Sequence, residues 1–424
     1  MNLHMLQDKQ LMQMEECTLD KTLLVLGAGL DQIPGILKAK EMGCYIICLD
    51  GNKNAEAKKY CDEFYVVSIK HIEQLDNFIE NSLAKKVDGV IAFGVDIPYI
   101  ISYVSDKLGV NYTIPLFSAK LSEDKYSSKE FMQKHNISIP KYKLVISFDD
   151  IDSFIKEFGF PIILKPVDNS ASRGISLINN YDCIAEYYDY ALKESPQKKV
   201  IVEKYLNGPQ ISTESFVIDG KIYNIGFADR NYGDMERFLP NIIENGGDLP
   251  SVFMKEKHKK QLEKYLIIIS KELNILNGVI KGDIVIHEDE LYIIEFALRL
   301  SGGNFSTIEI PESTGVDFIK VAINLHLNEP IEKKQLEVKK EKNICLRYKF
   351  LEDIKLGKVK SIQNMSEEKF ITSSIFLGVG DELASNKTHN HANRVASVIT
   401  NGIDRIDAIL KAENYLKKLE FIIE

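Results

Sequence analysis

Between residues 22 and 115 short apolar runs alternate with amphipathic stretches, and this alternation restricts the possible folds more than any other feature of the chain. "TLLVLGAGL" reads as a strand ending in glycines, and "DQIPGILKAKEMG" as a helix stopped by Gly43. "CYIICLD" is a second strand ending at Asp50, "EFYVVSI" a third and "VDGVIAFGVD" a fourth, with the amphipathic "HIEQLDNFIENSLAKK" between the last two. Strands that alternate with helices predict a parallel, doubly wound sheet. The turn after the first strand carries Gly27 and Gly29, but the third glycine of a dinucleotide fingerprint is missing, and Ile33 stands at the helix start. It reads as a tight strand–helix turn, compatible with a ligand at the strand C-termini.

A helical stretch at 115–136 leads into a region with a different grammar. "FPIILKPV", "KVIVEKYLNG" and "ISTESFVIDGKIYNIGFADR" read as strands, the last a hairpin about Asp219 and Gly220. "KEKHKKQLEKYLIIISKELNIL" is a long helix, and "DFIKVAINLHL" another. From about 341 three further strands precede "DRIDAILKAENYLKKLEFII", a terminal helix. The expected fold class is therefore α/β followed by α+β. The expected divisions are an arm at 1–20, a doubly wound domain at 21–116, an antiparallel α+β domain at 117–335 with a lid at about 140–206, and a small domain at 336–424.

The net charge of −9 argues against nucleic acid as the main partner. No apolar stretch approaches the roughly 18 residues that would span a bilayer, so no membrane partner is expected. The first 20 residues lack a signal-peptide pattern and read as a short helix or a loose arm. The six cysteines are scattered, and Cys44 and Cys48 read as buried thiols. Together these point to a reducing cytoplasm.

The chemistry concentrates in "KGDIVIHEDELYIIEFALRLSGG" (281–303). Strand side chains alternate faces, which puts Tyr292, Ile294, Phe296 and Leu298 on a core face and Ile293, Glu295, Ala297 and Arg299 on the other. A hairpin closed by a three-residue loop at Glu288, Asp289 and Glu290 sets Asp283 opposite Glu295. Two carboxylates directly across a sheet repel each other, and a divalent cation between them would remove the repulsion. With a loop one residue longer or shorter, the carboxylates miss each other and are merely solvated.

Upstream, "KPVDNSASRG" (165–174) sets Lys165 at a strand end before a loop with Ser170, Ser172 and Gly174. Backbone N–H groups in such a loop, beside a fixed positive charge, suit phosphate oxygens, although this is not the G-x-x-x-x-G-K-[ST] loop. "VEKYL" (202–206) places Glu203 at another strand end, where a carboxylate and exposed backbone can read the edge of an adenine or can simply be solvated.

Taken in order, Lys125, Lys165, the small-residue loop, Glu203, Gln210 or Glu214, Asp283, Glu295 and Arg299 resemble the ATP-grasp superfamily of carboxylate–amine and carboxylate–thiol ligases. That superfamily includes biotin carboxylase, carbamoyl-phosphate synthetase and L-amino acid ligases, and the resemblance spans the chain after the first 20 residues. It implies that Lys125 and Lys165 contact ATP phosphates beneath a loop of Ser170, Ser172 and Gly174. Glu203, Lys204 and Leu206 would hold adenine, and Gln210 or Glu214 the ribose. Asp283 and Glu295 would hold Mg²⁺, with Mn²⁺ as a substitute. Arg299 would neutralise the transferred phosphoryl group, and Ser301, Gly302 and Gly303 would bound the acceptor pocket. Arg230, Arg237 and Glu244 either read a small anionic substrate or are surface charges. Many relatives read E-x-N-x-R where this chain has Ala297, so a second metal ion would lack one ligand.

The implied reaction phosphorylates a small carboxylate, such as an amino acid, and lets an amine displace phosphate, leaving an amide, ADP and phosphate. Two other readings stay open: a bicarbonate-using carboxylase of purine-biosynthesis type, and a catalytically inactive nucleotide-binding protein. The resemblance also implies a homodimer.

Overall fold

The computed structural model describes residues 19–384 and 390–424; the arm expected over the first residues lies almost wholly outside them. Strands β1 (Thr22–Leu26), β2 (Tyr45–Asp50), β3 (Glu63–Val66) and β4 (Gly89–Ile91) form one sheet in the order β3-β2-β1-β4. All three pairings are parallel. Alternation along the strands covers both faces: Leu23, Val25 and Cys48 pack with Ile36 and Ile323 on one side. Leu24, Leu26 and Ile47 pack with Leu75, Phe78 and Val104 on the other. Asp50 accepts from the backbone N–H of Ala28 at 2.8 Å and of Asn52 at 2.7 Å. One of its oxygens is thus spent on the glycine turn and the other on the loop that follows β2.

Cys48 corrects the expectation of a buried thiol. It lies on β2 beside the segment that enters β3, and the structure joins it to Cys61 in a disulfide. Cys44, Cys183 and Cys345 are free.

The helical stretch at 115–136 is two helices, Leu116–Glu123 and Lys125–Lys134. Asp124 breaks it with an extended backbone and accepts from the N–H of Ser127 at 2.7 Å, so an N-cap interrupts a continuous helical pattern. The break sets Lys125 at a helix start. Strands β5 (Tyr142–Val145), β6 (Ile162–Pro166), β7 (Ser176–Ile178) and β8 (Val200–Lys204) then form an antiparallel sheet in the order β5-β8-β6-β7. Helices Phe148–Phe158 and Ile184–Glu194 share its apolar core.

The large sheet contains β9 (Gln210–Ile218), β10 (Lys221–Arg230), β11 (Gly247–Leu249), β12 (Gly278–His287) and β13 (Glu290–Ala297). Its remaining strands are β14 (Asn343–Phe350), β16 (Thr372–Ile375) and β18 (Arg394–Gly402), and the order is β13-β12-β9-β10-β11-β14-β18-β16. Asp219 and Gly220, both with positive φ, turn β9 into β10. Helix Glu256–Glu272 covers one face through Leu262, Leu266 and Ile269. Helix Phe318–His326 covers the other, with Phe318 stacked on Phe216.

The terminal helix is shorter than the sequence suggests. Helix Arg405–Lys417 ends before β19 (Leu419–Ile423), which pairs antiparallel with β15 (Gly357–Asn364), whose other neighbour is β17 (Glu382–Leu383). The tail alternates buried Leu419 with exposed Glu420 and then half-buried Phe421 with exposed Ile422, a period of two that favours a strand. Among the described residues, no helix is long and apolar enough to cross a membrane.

Candidate active site

The β12–β13 hairpin brings Asp283 opposite Glu295 by a route different from the expected one. The loop has two residues, Glu288 and Asp289, both at positive φ, and His287 pairs with Glu290. Primed two-residue turns match the twist of a hairpin. This register taken alone would set Ile284 opposite Ile293 and leave the carboxylates out of step. A bulge then inserts one extra residue, Ile294, and pairing resumes with Asp283 against Glu295, Gly282 against Phe296 and Lys281 against Ala297.

The bulge also inverts the side-chain phase. Leu291 and Ile293 are in the core before it, and Phe296 and Leu298 after it. Ile294, expected in the core, lines the cavity instead, and Tyr292 is half-buried. Ile293, expected on the site face, is 1% exposed.

A cavity of about 780 Å³ lies over this hairpin and extends beneath the antiparallel sheet of β5–β8. Lys125 reaches in from its helix start, donating to the carbonyl of Asn169 at 2.7 Å and pairing with Glu295 at 3.4 Å. Burial alone would raise the pKa of Glu295, but Lys125, Lys281 and Lys165 hold it well below the usual carboxylate range. Asp283 meets Arg230 at 3.3 Å, Ser212 at 3.2 Å and, in direct contact, Lys281. Among the described residues no three His, Cys, Asp or Glu side chains cluster as a metal cage. Two carboxylates with no third protein ligand suit a cation that takes its other ligands from phosphate oxygens.

Lys165, at the end of β6, is buried and pairs with Glu203 at 2.7 Å. Lys129, which the sequence reading missed, pairs with the same carboxylate at 3.1 Å and donates to the carbonyl of Ile294 at 3.1 Å. Burial, reinforced by Lys165, pulls the Lys129 ammonium down to about 8 against the attraction of Glu203. Glu203, Lys204, Leu206 and Gln210 line the cavity in sequence, and Lys204 donates to the carbonyls of Gly159 and Phe160 at 3.2 and 2.8 Å.

Ser170 and Ser172 face the cavity, whereas Gly174 does not. Gly174 has a φ of +75°, and a Cβ there would come within 2.9 Å of both Glu194 and the Pro166 ring. Its contribution is backbone shape. Ser172 also meets His391 at 3.2 Å, which ties the loop to the segment before β18.

Arg299 donates through Nε to Asp96 at 2.8 Å and through a terminal nitrogen to the carbonyl of Leu300 at 3.0 Å. Asp96 follows β4, so the strand end is anchored to the first sheet. Gly94 packs against Gly302 closely enough that a Cβ on Gly94 would lie 2.8 Å from the Gly302 Cα. Ser301, Gly302 and Gly303 line the cavity.

Glu214 does not line it, which leaves Gln210 as the cavity-facing member of the pair considered for ribose. Glu214 is fully buried behind Ser301, accepting from its N–H at 2.8 Å and from the Ser306 hydroxyl at 2.7 Å. Burial pushes its carboxyl up to about 7 against those donors.

At the far end, Glu244 gathers Arg230 at 3.1 Å, His391 at 3.0 Å and Arg394 at 2.5 Å. The Arg394 guanidinium stacks 3.8 Å from the centre of the Tyr348 ring. Arg237 is not in this group. It sits on the outer surface, 39% exposed and paired with Asp353 at 2.6 Å.

Residues 124–334 match the family model "Carbamoyl-phosphate synthase L chain, ATP binding domain". The carbamoyl phosphate synthase large chain of Clostridium acetobutylicum is 26% identical over 382 residues, 86% of this chain. The chain spans about a third of that relative's length, since the match covers 33% of it. An L-amino acid ligase from Bacillus licheniformis superposes with a TM-score of 0.77 at 15% identity, covering 96% of this chain and 99% of the other. A phosphoribosylglycinamide synthetase from Anaerococcus prevotii gives 0.72 at 19%, covering 96% and 100%. The fold is the ATP-grasp fold, and residues 124–334, about half of the chain, belong with the ATP-binding domain that this family model describes.

Proposed function

We propose that this ATP-grasp protein joins a small carboxylate to an amine, spending ATP to make an acyl phosphate on the way. The observation that carries the reading is the convergence of Asp283, Glu295, Lys125, Lys165 and Arg299 on one cavity beneath a serine-bearing loop. A carboxylate cannot expel oxide. Transfer of the γ-phosphoryl group makes phosphate the leaving group, and attack by the amine then forms the amide and releases phosphate.

Such a reaction is catalysed mainly by positioning and charge neutralisation. Lys125 and Lys165 would meet the phosphates, and Lys204, Leu206 and Gln210 would line the nucleoside end. Glu203, paired with two lysines, would hold Lys165 in place as well as face the adenine. Asp283 and Glu295 would hold Mg²⁺ together with phosphate oxygens; when bound, that ion neutralises charge on the transferred group. Arg299, steadied by Asp96, would meet the acyl phosphate. The loop at Ser170 and Ser172 would exclude water from that intermediate.

The acid would sit toward Ser301–Gly303, with Arg230 and Arg394 supplying positive charge for an amino acid or related anion. No nucleic-acid or membrane partner enters this scheme, and a homodimer is part of the proposal.

Hydroxylamine tests it, because it converts an acyl phosphate to a hydroxamate plus phosphate. With MgATP and the right acid, hydroxamate should form without any amine. ATP turnover that depends on bicarbonate and yields no hydroxamate from any organic acid would favour the carboxylase reading, with which Ala297 is compatible. ATP binding with no turnover would favour an inactive nucleotide-binding protein.

A further inference from the structure

Strands β12 and β13 present four side chains on the site face in two facing pairs, Asp283 with Glu295 and Lys281 with Ala297. Ala297 contributes only a methyl group. Lys281 projects into the cavity beside it, its side chain 12% exposed, and contacts Asp283 directly.

The charges around the two carboxylates are already accounted for. One Asp283 oxygen meets Arg230 and Ser212, and the other meets Lys281. Glu295 meets Lys125. Three cations therefore touch two anions before any nucleotide arrives. One divalent ion can still be accommodated, because phosphate oxygens bring both negative charge and ligands. A second would have to displace a cation from Asp283, sit near the Lys281 ammonium and do without a donor at position 297. Like charges in a partly desolvated site disfavour that strongly.

We infer that Lys281 supplies, as a fixed ammonium, the charge that a second divalent ion would otherwise bring, so that the site takes one metal ion per nucleotide. This rests on the nucleotide site proposed above. Lys281 would act on the phosphates directly, from its place opposite Ala297 in the strand pair.

The test is a stoichiometry. Full-length protein with a non-hydrolysable ATP analogue is titrated with Mn²⁺, free ion is read from its paramagnetic resonance signal, and bound analogue is measured by equilibrium dialysis of the same samples. The expected result is one Mn²⁺ per bound analogue in the wild type and in Lys281→Arg, rising to two in Lys281→Met/Ala297→Asn. Two ions in the wild type, a decision that needs no variant, would overturn the inference. So would a folded double variant that still binds one. No binding of the analogue at all would instead sink the nucleotide-site reading, and this inference with it.

Discussion

Arg299 and Asp96 are 203 positions apart in the chain, yet the arginine Nε lies 2.8 Å from the Asp96 carboxylate. The pair locks the end of β13 to the loop after β4. The guanidinium outweighs the effect of burial and holds the Asp96 carboxyl below its usual range, so it stays ionised.

Asp96 reaches no substrate in the proposed scheme; it positions Arg299. Asp96→Asn should lower kcat for ADP release by about tenfold to a hundredfold, the loss of one charge-assisted hydrogen bond. The KM for ATP should change little, since the adenine end of the cavity is untouched. Steady-state kinetics at varied ATP checks the split.

Lys165 and Lys129 share the buried Glu203 carboxylate. Lys165→Met removes the nearer partner and leaves the charge leaning on Lys129 alone. Breaking a buried pair costs about 3 kcal/mol at the lower end of its usual range, so the urea midpoint should fall as well as the activity. A double substitution of Lys165 and Glu203 by apolar residues should recover neither stability nor activity, because it strands the buried Lys129 ammonium that pairs with the same carboxylate.

Glu214 should leave a signature in the pH dependence of stability. Its carboxyl is raised from an ordinary value near 4.5 to about 7 in the folded protein. Between those values the folded state binds more protons than the unfolded state, so stability falls as pH rises from 4.5 to 7. Above pH 7 the loss is complete, on the order of 3 kcal/mol. Glu214→Gln should flatten that part of the profile, as measured by urea unfolding at a series of pH values.

Gly174 holds a φ of +75° that a side chain tolerates poorly, and its surroundings leave no room for a Cβ. Gly174→Ala should cost about 1–2 kcal/mol in the loop and raise the KM for ATP several-fold. Kinetics with ATP and a urea midpoint together check it.

The fold class could be read from the sequence because strand and helix periods are local properties. The parallel sheet of β1–β4 follows from runs such as "TLLVLGAGL", and the β9–β10 hairpin from its Asp219-Gly220 turn. The facing of Asp283 and Glu295 was reached through two compensating differences, a loop one residue shorter than expected and a bulge at Ile294. Neither leaves a clear mark in the sequence, since the bulge falls in an unbroken apolar run. Asp96, His391 and Arg394 carried no local signal, because their distance from the motif closes only through tertiary structure. Lys281 did carry one: it lies two residues before Asp283, on the same strand face. For Glu214 and Arg237 the sequence left two readings open, because a charged residue near a motif can be turned inward or outward, which depends on packing rather than spacing.

The most direct test of the account is ADP and phosphate release with MgATP across single amino acids, amino acid pairs and bicarbonate, with Glu295→Ala as the control. The account predicts turnover that needs both an acid and an amine and disappears in Glu295→Ala. Turnover undiminished in that variant, or none across the panel while ATP still binds, would contradict it.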